Sequence, residues 1–129
     1  MKYLIDSDVL IEVLRNNVVI AEMLKSLHRA KHTLCYSPIT KAEIYHGLRK
    51  GEEERTARLF AELSCLSIED RVGQKAGEYL NRYRKSHGLQ LADALIAATA
   101  FHEPARLITL NRRHYPMTDI EIYDTPQEN

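Results

Sequence analysis

Asp93 is the only ionisable residue within residues 91–101, LADALIAATAF, where nine of eleven positions are apolar. On a helix its i+3 and i+4 neighbours are Ile96 and Ala97, so no polar face receives it. A carboxylate in such surroundings is costly unless something compensates its charge. Three other side chains of related chemistry stand near it in kind: Asp6 at the end of KYLID, Glu43 in TKAEIYHGL and Asn111 in TLNRRHY. Carboxylates brought together repel one another. A hard divalent cation resolves that conflict. Mg²⁺ or Mn²⁺ takes oxygen ligands, keeps several waters, and is usually held by one or two protein carboxylates plus substrate phosphates. Such an ion lowers the pKa of a bound water and stabilises charge on a phosphoryl oxygen.

These residues must be carried to one place by the elements around them. KYLID reads as a buried strand ending in Asp6. Ser7 or Asp8 can cap a helix beginning at Val9, with Leu10, Val13 and Leu14 inward. IAEMLKSLHRA is a second amphipathic helix, and TLCYS a second strand stopped by Pro38. Thr40 opens the next helix, its Thr-x-x-Glu pattern forming a capping box with Glu43. EEERTARLFAEL is a charged helix and CLSI a third strand. Asp70 caps a long helix to about Ser86, which Gly88 ends. Residues 91–101 are the next helix, RLITL a fourth strand, and IEIY a candidate fifth.

Strands alternating with helices predict an α/β fold: one mainly parallel central sheet of four or five strands flanked by helices. In such a sheet, helices run antiparallel to the strands they pack on. Helix N-termini therefore gather where the strands have their carboxyl ends. Asp6, Glu43, Asp93 and Asn111 should all reach that edge, where open α/β sheets place their ligands. Taken singly, each has a plain structural reading: helix dipole for Asp93, capping for Glu43, turn chemistry for Asp6 and Asn111.

The remaining composition sets bounds. A chain of 129 residues suits one domain, spanning 1–129. Eighteen basic and eighteen acidic residues cancel, so bulk charge points to neither nucleic acid nor membrane, and any basic surface must be local. Cys35 and Cys65 lie in apolar surroundings without metal-ligand spacing and read as core residues in a reducing cytosol. The start MKYLIDSD does not read as a signal peptide, because its apolar run stops at Asp6. The run from Ala94 to Phe101 is too short to span a bilayer. The expectation is a cytoplasmic protein without a membrane partner.

At YLIDSDVLIEVL, TKAEIYHGL, LADALIAATA and TLNRRHY the sequence resembles a PIN-domain ribonuclease of the VapC toxin type. The resemblance covers nearly the whole chain, and LADALIAATA is its most specific part. It implies a PIN-like fold and metal-dependent hydrolysis of an RNA phosphodiester. It implies metal-binding roles for Asp6, Glu43 and Asp93, with Ser7 and Thr109 at hydroxyl positions that support them. It further implies a homodimer and a VapB-like antitoxin that blocks the site and binds operator DNA; apolar residues not used by the core, on helices of the N-terminal half, are the expected dimer contact. Many family members carry a fourth Asp where this chain has Asn111, which can ligate through its carbonyl oxygen but adds no charge.

Two other readings compete. YLIDSDVLI also fits the opening of a haloacid-dehalogenase-type phosphatase, with Asp6 as nucleophile and Asp8 as general acid. That chemistry needs a later acidic pair after a strand, and NRRHY offers none. The second is a PIN-like binding module without catalysis, for which Asn111 is the best argument. Arg112, Arg113 and His114 adjoin the proposed site and can hold RNA phosphates. The six histidines show no zinc spacing.

Overall fold

Both faces of the first strand are apolar, and in the computed structural model, which describes residues 1–126, both are covered. β1 (Lys2–Ile5) is followed by α1 (Ser7–Leu14), α2 (Val18–Arg29), β2 (Thr33–Tyr36), α3 (Pro38–His46) and α4 (Glu53–Ala61). Then come β3 (Ser64–Cys65), α5 (Asp70–His87), α6 (Leu91–His102), β4 (Ala105–Ile108) and a single 3-10 turn, Arg112–His114. The sheet order is β3-β2-β1-β4, with every pairing parallel.

Side chains alternate across a strand, so β1 feeds two cores. Leu4 joins one apolar cluster with Val72, Ala76, Ala94, Ala97 and Leu107, under α5 and α6. Tyr3 and Ile5 join the other with Val9, Leu10, Ile20, Leu24, Ile44 and Phe60, under α1 to α4. Helices thus cover both faces of a parallel sheet. β1 has neighbours on both sides reached by crossovers on opposite faces, so its carboxyl end lies at the topological switch point. Among the described residues no helix is long and apolar enough to cross a membrane.

Helix starts differ from the sequence expectation in an instructive way. Asp6, not Ser7 or Asp8, caps α1, accepting the Ser7 N–H at 2.9 Å. Ser37, not Thr40, caps α3, accepting the Ile39 N–H at 3.1 Å. Pro38 sits at the first helical position, where its fixed φ and missing N–H are harmless, so the helix begins two residues before Thr40. Thr40 is fully buried inside that helix, and Glu43 stands in its second turn, beyond reach of a capping box. Asp70 is the first residue of α5, whose cap position is the extended Glu69. Gly88 ends α5 in the left-handed region, φ 65°, as Gly does at helix ends.

At the sheet margins, the expected fifth strand reduces to one bridge, Leu107 with Ile122. Glu121 and Tyr123 satisfy the two backbone groups of Leu107, and pairing stops there. The third strand is only Ser64–Cys65. Because β3 is the outer strand, Cys65 is exposed rather than in the core, while Cys35 is buried.

Candidate active site

Asp6 owes its position to register. Ile5 pairs with Ile108, and the Asp6 N–H extends that ladder to the Ile108 carbonyl at 2.9 Å. One step further along both strands, Asp6 therefore lies beside Thr109. The Thr109 hydroxyl donates to Asp6 Oδ2 at 2.9 Å, and the Tyr115 hydroxyl donates to the same oxygen at 2.7 Å. Asp6 is 6 % exposed, and its burial is tolerated because three protein donors meet its carboxylate.

Asp93 arrives from the opposite face. α6 is buried along Ala94, Ile96, Ala97, Ala98, Thr99 and Ala100, most of them small residues that let it sit close on the sheet. Only its first turn opens toward the strand ends, and Asp93 is the acid there. Asp93 Oδ1 lies 3.3 Å from the Tyr115 hydroxyl, and Oδ2 lies 3.7 Å from His114 Nδ1. Burial first, then the charge of Asp6, push the Asp93 carboxyl above the ordinary range; His114 and Tyr115 oppose this. Glu43 shows the same pattern. Burial raises it, a hydrogen bond from Ser7 lowers it, and the charges of Asp6 and Asp93 raise it again. The charge of Asp6 thus reaches Asp93, the charges of both reach Glu43, and Thr109 holds Asp6.

Asn111 does not join them. Its side-chain amide donates to Asp8 Oδ2 at 2.9 Å. The same oxygen accepts the Leu110 N–H at 3.1 Å, while Asp8 Oδ1 is buried without a hydrogen-bond partner among the described residues. Asp8 thus ties the start of α1 to the loop after β4. Burial and the neighbouring Asp6 push its pKa up to about 6. The sequence offered little to single out Asp8 outside the phosphatase reading. Tyr115 was missed as well: it packs 4 % exposed behind the 3-10 turn, and nothing in its spacing from Asp6 or Asp93 announces a contact. Of the basic residues, Arg112 is ion-paired with Asp124, His114 lies beside Asp93, and Arg113 is exposed.

The donor set fits a hard divalent ion: it consists of carboxylate oxygens, and the charge of Asp6 raises both Glu43 and Asp93. Among the described residues no three His, Cys, Asp or Glu side chains stand close enough to hold one ion together, so the cation would rest on two acids and water. An open arrangement suits Mg²⁺ in particular, which keeps much of its water and needs only one or two carboxylates.

The raised acids make stability pH-dependent. A carboxyl whose pKa is higher in the folded than in the unfolded chain favours folding while protonated. That contribution is lost as pH rises through the window between the two values. For Asp8 the window runs from 3.8 to about 6. In EDTA, Asp8→Asn should therefore gain melting temperature relative to wild type as pH is raised from about 4 to about 7. A difference that stays flat across that range would show that Asp8 is not strained.

A family model described as PIN domain matches residues 3–119. The chain is 39% identical over 115 residues to Ribonuclease VapC10 of Mycobacterium tuberculosis, covering 88% of this chain and 86% of that one. Among solved structures, VapBC-1 from nontypeable Haemophilus influenzae is 26% identical with TM-score 0.79, covering 96% of this chain and 98% of the other. A toxin-antitoxin complex from Klebsiella pneumoniae contains a chain 25% identical with TM-score 0.74, covering 93% and 99%.

Proposed function

This chain belongs to the PIN-domain family, and on that premise we propose that it is a Mg²⁺- or Mn²⁺-dependent ribonuclease, the toxin of a VapBC-type toxin–antitoxin pair. What supports this reading is that Asp6 and Asp93 share the Tyr115 hydroxyl and both act on the charge of Glu43, in a chain 39% identical to a VapC ribonuclease. The phosphatase reading falls with the family. It would also need Asp8 free as an acid, whereas Asp8 is spent on the loop from Thr109 to Asn111.

Asp6 and Asp93 would hold the cation. When bound, the ion supplies a water of lowered pKa and a counter-charge for the phosphoryl oxygens. Glu43, raised by burial and by the charges of Asp6 and Asp93, would take the proton of a water attacking phosphorus in line. One oxygen–phosphorus bond forms as the bond to the leaving sugar oxygen breaks, and that oxygen takes a proton from solvent. Thr109 keeps Asp6 oriented. Arg113 and His114 offer exposed donors to the flanking phosphates. Asn111 supports the site through Asp8.

A VapB-like antitoxin would block this site, and DNA would be met only through that partner. The enzyme would work in the cytoplasm as a homodimer. Val18 and Val19, exposed at the start of α2, are apolar surface on the expected N-terminal half.

Purified chain stripped of divalent ions should leave a labelled RNA intact and cleave it once Mg²⁺ or Mn²⁺ is restored. Undiminished cleavage in excess EDTA would remove the cation from this reading, and no cleavage under any condition would favour a binding module. Light scattering on the same antitoxin-free preparation should give a dimer mass; a monomer mass at micromolar concentration would remove the homodimer.

A further inference from the structure

The loop after β4 returns a phenol to the centre of the acid cluster. The Tyr115 hydroxyl is 2.7 Å from Asp6 Oδ2 and 3.3 Å from Asp93 Oδ1, on a ring that is 4 % exposed. It is the one side chain among the described residues recorded in hydrogen-bond contact with both acids. With a single proton, it can donate fully to only one of them, and the shorter contact is to Asp6. Asp6 Oδ2 thereby has two hydroxyl donors, Tyr115 and Thr109, while Asp6 Oδ1 takes only the Ser7 N–H. On Asp93, the same hydroxyl lies against Oδ1, while Oδ2 lies 3.7 Å from His114 Nδ1. One oxygen of each acid is thus set against the Tyr115 hydroxyl, and the other is not.

We infer that Tyr115 is a positioning residue of this site, its hydroxyl fixing the orientation in which Asp6 and Asp93 present their remaining oxygens to a divalent cation. The inference rests on the proposed metal-binding role of those two acids. Partners that orient a metal's carboxylate ligands typically change metal affinity 10–100-fold when removed. The rest of the tyrosine is a core side chain, in the apolar cluster that also holds Leu107, Met117 and Ala97. Phenylalanine keeps that packing and removes only the hydroxyl, so the two contributions separate.

The test is a titration of metal-free protein with Mn²⁺, following free ion by electron paramagnetic resonance, with thermal melts in EDTA to establish that each variant is folded. Tyr115→Phe should bind Mn²⁺ about ten- to a hundredfold more weakly than wild type. Tyr79→Phe is the control. Tyr79 is also buried with its hydroxyl on a carboxylate, donating to Asp119 at 2.7 Å, but it lies outside the site. It should keep wild-type affinity. A second readout needs no variant: Mg²⁺ added to metal-free wild type should perturb the tyrosine ultraviolet band, because the ion alters the charge on the acids that Tyr115 touches. Wild-type affinity in a folded Tyr115→Phe, or no perturbation of that band on saturation, overturns the inference and leaves the metal reading standing. Wild type without any saturable Mn²⁺ site overturns the metal reading and the inference with it.

Discussion

Asp93→Asn should abolish RNA cleavage while leaving the metal-free protein as stable as wild type, or more so. The two effects separate because the charge is useful only to a ligand. In the metal-free chain the Asp93 carboxyl is raised by burial and by Asp6, so its ionised form is a strain on the fold. The asparagine carbonyl can still accept from Tyr115, and relief of repulsion opposes the loss of a helix-dipole interaction of about 0.3–1 kcal/mol. If Asp93 served only the dipole, stability would fall by that amount and activity would not change. Thermal melts with and without Mg²⁺ distinguish the cases. Wild type should gain stability from the ion and the variant much less. A less stable, metal-responsive and fully active variant would sink the proposal that Asp93 is a ligand.

Glu43→Gln should cost at least about a hundredfold in cleavage rate, the lower range for losing a general base. Its position in the second turn of α3 removes the one structural duty the sequence suggested for it, so there is no cap to lose. Its carboxyl is raised above the ordinary range, and the amide keeps an acceptor for Ser7, so stability should change little. Single-turnover kinetics on a short labelled RNA would measure this. A Gln variant cleaving at the wild-type rate would make Glu43 a bystander.

The parts of this protein legible in its sequence are those governed by periodicity. The run KYLI and the alternation of strand and helix led to a parallel sheet covered on both faces, and that rule alone sends Asp6, Glu43 and Asp93 to one edge. Contacts that depend on how a loop returns were not legible. Tyr115 reaches Asp6 across 109 residues of chain because a 3-10 turn reverses the loop after β4. Asn111 turns to Asp8 for the same reason. Caps were misjudged where a local pattern competed with geometry. Thr-x-x-Glu at Thr40 is a genuine capping signature, yet Pro38 starts the helix earlier and buries Thr40 in its body. The resemblance to the PIN family rested on the acids and their flanking apolar residues.

The central claim is that these acids act by holding a divalent ion that RNA hydrolysis requires. The most direct measurement is the initial rate of RNA cleavage against free Mn²⁺ concentration, for wild type and Asp93→Asn side by side. The account predicts no cleavage by wild type without the ion, a saturating rise as it is added, and an Asn curve that stays at baseline or rises only at far higher concentrations. Superimposed curves, or a wild-type rate independent of the ion, would contradict it.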